Sequence, residues 1–261
     1  MTHTEIGLFT TDNRNLYLFA EKFTNEHTKK IQLEKFRCLN EVSFSTKWGR
    51  DDTAYFYTDD TTVYADFGDP YSLAPIIGAK PKTFEIIPEL GYEFSQSGNT
   101  FFYRHSKIAF DPRNAVTYRD IHYSQDSLYT RVDTNVYFNY SEKMPKVDTA
   151  TFTVLSSNVA KDKNHVYFRT KIINEADAPT FVILSECLQA QYYVNWEVCF
   201  YAKDKTYAYW VNTTSQHIKI IKTKSLDSFT FFVDEKRDNY GFAKDLEYEY
   251  NAGKRKKLER G

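Results

Sequence analysis

The chain alternates short polar segments with short aromatic ones. The clearest example is residues 161–168, which read Lys-Asp-Lys-Asn-His-Val-Tyr-Phe. Asp and Asn hydrogen-bond to their own backbone and tolerate left-handed conformations, whereas Val, Tyr and Phe favour a pleated, half-buried surface. The pattern therefore predicts a tight turn that leads into a β-strand.

This turn-strand phrase recurs along the chain. Residues 202–210, Ala-Lys-Asp-Lys-Thr-Tyr-Ala-Tyr-Trp, repeat it, with Asp204 placed 42 positions after Asp162. Such a spacing is typical of small β-repeat units. Weaker copies lie at residues 11–19, 50–57, 97–103, 124–129, 133–138 and 243–250.

A second phrase, a Pro or Asp turn followed by Thr-Phe and aliphatic residues, occurs at 80–87, 147–155 and 176–184. We interpret one unit as three short strands: Val166–Arg169, Lys171–Ile173 and Thr180–Leu184. A unit of this size has too little apolar surface to be stable alone, so it must stack on its neighbours.

We therefore predict an all-β fold of degenerate repeats, about six short β-meander or hairpin units. These units would stack into a curved, solenoid-like or propeller-like sheet assembly. Residues 1–252 would form a single β-repeat domain, or two sub-halves at about 1–90 and 91–252. The basic segment 253–261 is predicted to be a disordered tail.

The composition limits the classes of protein and partner that are expected for this chain. The aromatic content is 17% while the mean hydropathy is −0.60, so aromatic residues are interleaved with polar ones. The net charge of −1 gives no reason to expect a nucleic-acid partner or an anionic membrane. No stretch is long and apolar enough to predict a transmembrane segment.

The three cysteines lack a Cys-x-x-Cys pair, which favours a reducing compartment over a disulfide framework. We therefore expect a cytoplasmic protein; removal of a signal peptide before residue 1 would instead indicate the periplasm.

Candidate chemistry is sparse. The sequence contains no Gly-rich phosphate loop, His-Glu-x-x-His or Gly-x-Ser-x-Gly motif. His105 and His122 are the best-placed pair for a metal, with Asp111 or Asp120 required as a third ligand. Because lone histidines are more often structural, we predict no catalytic residue, no metal and no cofactor. Acidic pairs such as Asp59-Asp60 are interpreted as turn-closing residues.

The aromatic residues fall into two groups. Tyr167, Phe168, Phe152 and Phe181 lie inside the repeated phrases and are predicted to pack the strands. Four others interrupt the pattern and are predicted to bind a partner: Trp48, Tyr192, Tyr193 and Trp196. Aromatic side chains provide large contact areas at binding surfaces. The alternative is that these four cap one end of the sheet stack.

The two phrases, Ala-Lys-Asp-Lys-Asn-x-Val-Tyr-Phe and Asp-x-x-Thr-Phe-x-x-Leu, resemble the DKNYY family of bacterial repeat proteins. Residues 147–210 match best, although Thr206 stands where the family turn has Asn. The family has no catalytic motif to carry over. Some members are similar to proteins encoded beside secreted antibacterial toxins.

The resemblance thus implies a non-catalytic immunity protein that binds and neutralises a cognate protein toxin encoded nearby. The alternative is a cell-envelope module that binds glycans or surface ligands through exposed aromatic residues. An enzyme is the third hypothesis; it would require acidic or histidine side chains from distant repeats to assemble into one site.

Overall fold

Short antiparallel strands joined by tight turns build the molecule, as the alternating pattern predicts. The computed structural model describes residues 4–45, 51–119, 126–156, 158–184, 199–212, 215, 217–232 and 242–258. The chain forms two compact units, Met1–Ala115 and Val116–Gly261. This boundary lies later in the chain than the position near residue 90 expected for two sub-halves.

The first unit contains three sheets. Sheet 1 consists of β1 (Thr4–Ile6), β2 (Phe9–Thr11), β3 (Leu16–Leu18) and β4 (Glu21–Phe23). Sheet 2 consists of β5 (Arg37–Ser45), β6 (Asp51–Thr58), β7 (Val63–Ala65) and β8 (Ala74–Pro75). Sheet 3 consists of β9 (Phe84–Ile86), β10 (Phe94–Ser97), β11 (Thr100–Tyr103) and β12 (Ser106–Ile108).

The second unit contains four sheets. Sheet 4 is formed by β13 (Val116–Arg119), β14 (Asp126–Val132), β15 (Asn135–Phe138) and β16 (Glu142–Lys143). Sheet 5 is formed by β17 (Thr153–Ser156), β18 (Val159–Lys161), β19 (Val166–Phe168) and β20 (Lys171–Ile172). Sheet 6 is formed by β21 (Val182–Ile183), β22 (Cys199–Lys203), β23 (Ala208–Asn212) and β24 (His217–Ile221). Sheet 7 is formed by β25 (Thr230–Phe232), β26 (Phe242–Lys244), β27 (Tyr248–Asn251) and β28 (Lys254–Lys257).

Every described sheet is an antiparallel meander in which the strands lie side by side in chain order. Helical structure in the described residues is limited to 3₁₀ turns at Thr28–Lys30, Leu33–Lys35, Pro70–Ser72, Pro81–Thr83, Pro88–Leu90, Pro112–Asn114 and Leu226–Ser228. The all-β prediction is therefore confirmed. The described part of the chain contains seven repeats of four strands rather than about six repeats of three.

The repeat boundary also differs from the predicted one. The segment Thr180–Leu184 contains β21, which pairs with β22 and so opens sheet 6. It does not complete the sheet that contains β19. The Thr-Phe phrase therefore marks the entry into a new sheet, where a buried Phe such as Phe152 or Phe181 precedes the first strand.

Adjacent sheets of a unit share hydrophobic cores. In the first unit, one core joins sheets 1 and 2 through Phe9 and Tyr57, and another joins sheets 2 and 3 through Phe56 and Phe102. In the second unit, one core joins sheets 4 and 5 and another joins sheets 5, 6 and 7. Tyr167, Phe168, Phe152 and Phe181 are all buried, which confirms their predicted packing role.

A buried carboxylate holds each signature hairpin together. In sheet 5, Asp162 Oδ1 accepts hydrogen bonds from the backbone N–H groups of Asn164 (2.8 Å) and His165 (2.7 Å). Its Oδ2 accepts from the Asp148 N–H (2.8 Å) and the Tyr167 hydroxyl (2.9 Å). The hairpin, the linker before the sheet and the third strand therefore meet at one side chain. We call this arrangement the Asp–Tyr clamp.

The clamp recurs with a fixed spacing, an aspartate and a tyrosine five positions later. The pairs are Asp12 with Tyr17 (2.9 Å), Asp59 with Tyr64 (3.1 Å), Asp204 with Tyr209 (2.7 Å) and Asp245 with Tyr250 (2.7 Å). Sheets 3 and 4 instead connect their second and third strands by two-residue turns. In sheet 3, Ser97 Oγ accepts the linker N–H of Lys80 at 2.9 Å.

The lysines of the signature connect the hairpin to the segments around it. Lys163 pairs with Asp148 of the linker at 2.6 Å, and Lys205 pairs with Asp177 at 2.8 Å. The ammonium group of the preceding Lys161 donates a hydrogen bond of 2.9 Å to the carbonyl oxygen of Phe181, at the start of the next sheet. The Lys-Asp-Lys part of the phrase is thus explained by interactions that hold sheets and linkers together.

The structure corrects the expectation of a disordered tail over part of its length. Lys254–Lys257 forms β28, which pairs along its length with β27. The Gly253 N–H donates to the Tyr201 hydroxyl at 3.3 Å, and the Arg255 guanidinium lies 5.0 Å from the centre of the Tyr248 ring. Backbone pairing and a cation–π contact therefore order a segment whose composition indicated disorder.

Removing parts of the clamp is expected to destabilise the second unit in graded steps. Tyr167→Phe deletes one donor to a buried charge and should lower the free energy of unfolding by about 1 to 2 kcal/mol. Asp162→Ala leaves several donors unpaired and should cost about 3 kcal/mol or more. Lys163→Ala removes an exposed ion pair and should cost less than about 1 kcal/mol. Urea unfolding followed by circular dichroism measures all three; equal losses for Asp162→Ala and Lys163→Ala would contradict the clamp.

The clamp also predicts acid sensitivity. Burial alone raises the pKa of Asp59, Asp162 and Asp245, but hydrogen bonds from backbone and side-chain donors outweigh it, so each pKa is lowered. A lowered folded-state pKa gives stability that is complete above the unfolded pKa, near 4, and is lost as the pH falls through the folded value. The urea midpoint should fall between about pH 5 and pH 3. In Asp162→Asn this fall should be smaller; an unchanged fall would exclude Asp162 as its source.

Candidate partner-binding surface

The two ends of each sheet differ in which strands are connected there. The clamp end is where the second strand turns into the third, as at residues 162–165, and where Asp148 of the linker meets Asp162. The opposite end, which we call the loop end, joins the first strand to the second and the third to the fourth. Because antiparallel strands alternate in direction, both of these connections leave a sheet at the same end.

Connection lengths vary far more at the loop end. The clamp-end connections between second and third strands range from two residues, as at 98–99, to four, as at 162–165. At the loop end the described connections range from two residues at Gly7-Leu8 to eight at residues 66–73. Repeat proteins commonly place insertions on the face that binds a partner.

All four residues predicted to bind a partner lie outside the described part of the chain. Trp48 falls between β5 and β6, whose described ends lie at the loop end of sheet 2. Tyr192, Tyr193 and Trp196 fall between β21 and β22, which end and begin at the loop end of sheet 6. Their binding role stays a prediction.

The described loop end of the first unit has a rigid connection between β7 and β8, residues 66–73. Asp66 is fully buried, and its Oδ1 accepts from the backbone N–H groups of Tyr55 (3.0 Å) and Gly68 (3.1 Å). Its carbonyl accepts from the Ser72 hydroxyl at 2.7 Å. Asp69 Oδ1 accepts from the Tyr71 N–H at 3.0 Å and so caps the following 3₁₀ turn. This loop is held by polar contacts at both of its ends.

Gly68 is required in this loop. Its φ of +84° is a conformation that L side chains rarely adopt. An added Cβ would also lie 3.1 Å from Phe44 Cζ and 3.3 Å from Asp52 Oδ2. The loop therefore packs closely against the ends of β5 and β6.

Two aromatic side chains project from this end of the first unit. Tyr71 is 69% exposed and Phe19 is 71% exposed. The Tyr71 ring lies 6.3 Å from that of Phe23, which anchors it to the sheet 1 core. Ile77 is similarly exposed, at 76%, but lies in the linker between sheets 2 and 3, beside the clamp end. Exposed aromatic residues on a fixed backbone are typical interaction sites.

The sequence did not single out these two residues. The repeat pattern predicts Phe19 as the end of a strand, whereas β3 stops at Leu18 and Phe19 turns with a φ of +51°. A bulky residue with positive φ is uncommon and cannot be inferred from alternation. The available signal for Tyr71 was the Asp-Pro cap before it, which indicates an ordered turn.

An apolar groove lies beside the rigid loop. Its volume is about 290 Å³, and Phe44 and Tyr92 stack in its wall with ring centres 3.8 Å apart. Val42, Ile86 and Pro88 line the rest of its apolar surface. A groove of this size and character fits an apolar side chain of a partner protein.

Asp52 and Asp69 carry exposed carboxylates at this end of sheet 2. Arg104 pairs with Glu93 at the loop end of sheet 3. Burial raises the pKa of Asp66, although the N–H groups of Tyr55 and Gly68 oppose the rise. His105 packs edge-on against Phe67, and its Nε2 lies 3.0 Å from the Ala65 carbonyl oxygen, to which it donates. Burial lowers the pKa of His105, so this ring adds little positive charge.

The described residues contain no group of three His, Cys, Asp or Glu side chains arranged to hold a metal ion. Of the residues considered as ligands, Asp111 bonds to Arg113, while His122 and Asp120 lie outside the described ranges. No helix in the described ranges is long and apolar enough to cross a membrane.

A comparison with known protein families finds a match that covers three of the clamps. The family model described as DKNYY family matches residues 129–259, which is half of the chain. A search of curated proteins found no match. A search of solved structures also found none. The matched segment contains the clamps of Asp162, Asp204 and Asp245, and the chain belongs to the DKNYY family.

Proposed function

We propose that this protein is a non-catalytic immunity protein, which binds and neutralises a secreted bacterial toxin encoded by a neighbouring gene. The observation that carries the proposal is the loop end of the first unit. There, the rigid loop 66–73 presents exposed Tyr71, and its Gly68 packs against Phe44, which lines an apolar groove together with Tyr92. A pre-ordered surface of this kind binds a protein with little entropic cost.

The proposed mechanism is occlusion of the toxin. An apolar side chain of the toxin would enter the groove, while the rings of Tyr71 and Phe19 contact the surface around it. The exposed carboxylates of Asp52 and Asp69 favour a basic partner, because complementary charge speeds association. The mechanism needs no cofactor, and we place it in the cytoplasm.

We also propose that the repeated sheets continue into one curved assembly, solenoid-like or propeller-like. The support is that successive sheets within each unit share a hydrophobic core. Small-angle X-ray scattering of the whole chain tests this: a closed assembly has a smaller radius of gyration than an open one of the same length.

The direct test of function is co-expression with the product of the adjacent gene. The proposal expects co-purification of the two proteins and rescue of growth when that product is toxic. Failure of both would contradict it. If the protein instead binds polysaccharides on a glycan array, the cell-envelope alternative replaces the immunity proposal.

Substitutions at the described surface should separate binding from folding. Tyr71→Ala and Phe19→Ala should each weaken toxin binding at least about tenfold, because exposed aromatic anchors dominate interface energies. Ile77→Ala removes an equally exposed apolar side chain beside the clamp end and should change the affinity less than about twofold. Isothermal titration calorimetry measures the affinities. Equal effects of all three would place the interface elsewhere.

The four aromatic residues that interrupt the repeat pattern of the sequence form a second, independent set. Trp48→Ala, Tyr192→Ala, Tyr193→Ala and Trp196→Ala should each reduce toxin affinity by about tenfold or more if they contact the partner. If these residues only cap the sheets, the same substitutions should leave the toxin affinity unchanged and lower the midpoint of thermal unfolding. Calorimetry together with thermal unfolding distinguishes these two roles.

A further inference from the structure

The last strand of the chain has an unusual composition for its position. β28, residues Lys254–Lys257, reads Lys-Arg-Lys-Lys, and all four residues are exposed. It is the outer strand of sheet 7, where its described neighbour is β27. One edge of β28 thus lies along the sheet, and the other presents backbone N–H and C=O groups outward.

Lysine on an edge strand often only prevents aggregation. The other fourth strands of the described sheets contain at most one lysine each. β4, β12, β16, β20 and β24 contain Lys22, Lys107, Lys143, Lys171 and Lys219, and β8 contains none. Four consecutive cations on β28 exceed what protection of an edge requires.

The charge of β28 is poorly balanced by the strand beside it. Across the register, Lys256 faces Glu249, whereas Lys254 faces Asn251, Arg255 faces Tyr250 and Lys257 faces Tyr248. Four cations are therefore opposed by one carboxylate. Because side chains alternate along a strand, Lys254 and Lys256 project from one face of the sheet and Arg255 and Lys257 from the other.

The start of β28 is fixed. Gly253 is buried, its N–H donates to the Tyr201 hydroxyl of sheet 6, and a Cβ at this position would lie 3.1 Å from both Trp210 and Lys219. The strand therefore leaves a tight turn that is packed against the neighbouring sheet. A fixed edge can pair with a further strand without first becoming ordered.

We propose that β28 binds an extended acidic segment of another protein, which adds to sheet 7 as a fifth strand. The added backbone would pair with the outward-facing groups of β28. Its carboxylates would lie opposite the cations on both faces, at the spacing of cross-strand pairs. This surface uses other residues than the proposed toxin-binding surface. Its partner is defined by an extended backbone and by negative charge.

The test uses the full chain and a fluorescent eight-residue peptide with four central glutamates flanked by valine and threonine. Fluorescence anisotropy should detect binding that weakens as salt is added. The combined variant Lys254→Gln, Arg255→Gln, Lys256→Gln and Lys257→Gln should bind at least about tenfold more weakly. A charge-matched control changes exposed lysines of the first unit: Lys29→Gln, Lys30→Gln, Lys35→Gln and Lys82→Gln. It should bind within about twofold of the unmodified chain.

A second peptide separates strand addition from simple charge attraction and does not depend on how the variants fold. Methylation of the backbone nitrogens of all four glutamates keeps every carboxylate but blocks strand pairing along both edges of the peptide, so affinity should fall at least about tenfold. Equal binding of the methylated peptide would overturn the proposal. So would the absence of peptide binding, or tighter binding of a single-stranded oligonucleotide or of vesicles containing phosphatidylserine.

Discussion

The buried carboxylate of the Asp–Tyr clamp is the interaction on which the architecture depends. Many of the strands are only two or three residues long, so each contributes few ladder hydrogen bonds and cannot hold its neighbours alone. Asp162 compensates by gathering four donors from three chain segments: its own hairpin, the preceding linker and the third strand. A buried charge is tolerated because these donors satisfy it. The tyrosine five residues later fixes the position of the strand against the turn, and its ring fills the core between sheets. One side chain thereby sets turn geometry, strand position and the entry point of the chain into the sheet.

Fixing one end of a sheet leaves the other end free to change. Where the clamp is present, the spacing from Asp to Tyr must be kept, because every residue from Asp162 to Tyr167 takes part in or spans the hydrogen-bonded unit. A connection at the loop end has no such constraint, and the described loop-end connections vary from Gly7-Leu8 to residues 66–73. The family signature therefore identifies the sheets and their clamps but carries no information about the binding partner. Proteins with the same signature can present different loops, so the signature alone does not define a binding target.

Local signals in the sequence were sufficient for the fold class but not for the boundaries of the repeat. Asp and Asn before Val-Tyr-Phe identified the hairpins, and the aromatic residues of those phrases are buried as predicted. Strands such as β20 and β21 contain two residues and carry almost no alternation, so a four-strand sheet was interpreted as three strands that cross a sheet boundary. The Asp-to-Tyr spacing was visible in the sequence, but its meaning required the Asp148 N–H, which lies 14 residues before Asp162. Exposure of Phe19 and Tyr71 depends on which side of a turn faces the core, and this is decided by tertiary packing.

The net charge of the chain does not describe the local charges on its surface. A total of −1 gave no reason to expect a nucleic-acid partner or an anionic membrane, yet the loop end of the first unit carries exposed Asp52 and Asp69, while β28 carries four consecutive cations. At physiological salt, charges separated by more than about 8 Å are largely screened, so a partner responds to the local surface rather than to the sum over the chain. Contacts with oppositely charged partners at the two surfaces are both expected to weaken with salt. Only the contact at β28 also requires the partner's backbone to be free to form hydrogen bonds, and this requirement distinguishes strand addition from attraction between side chains.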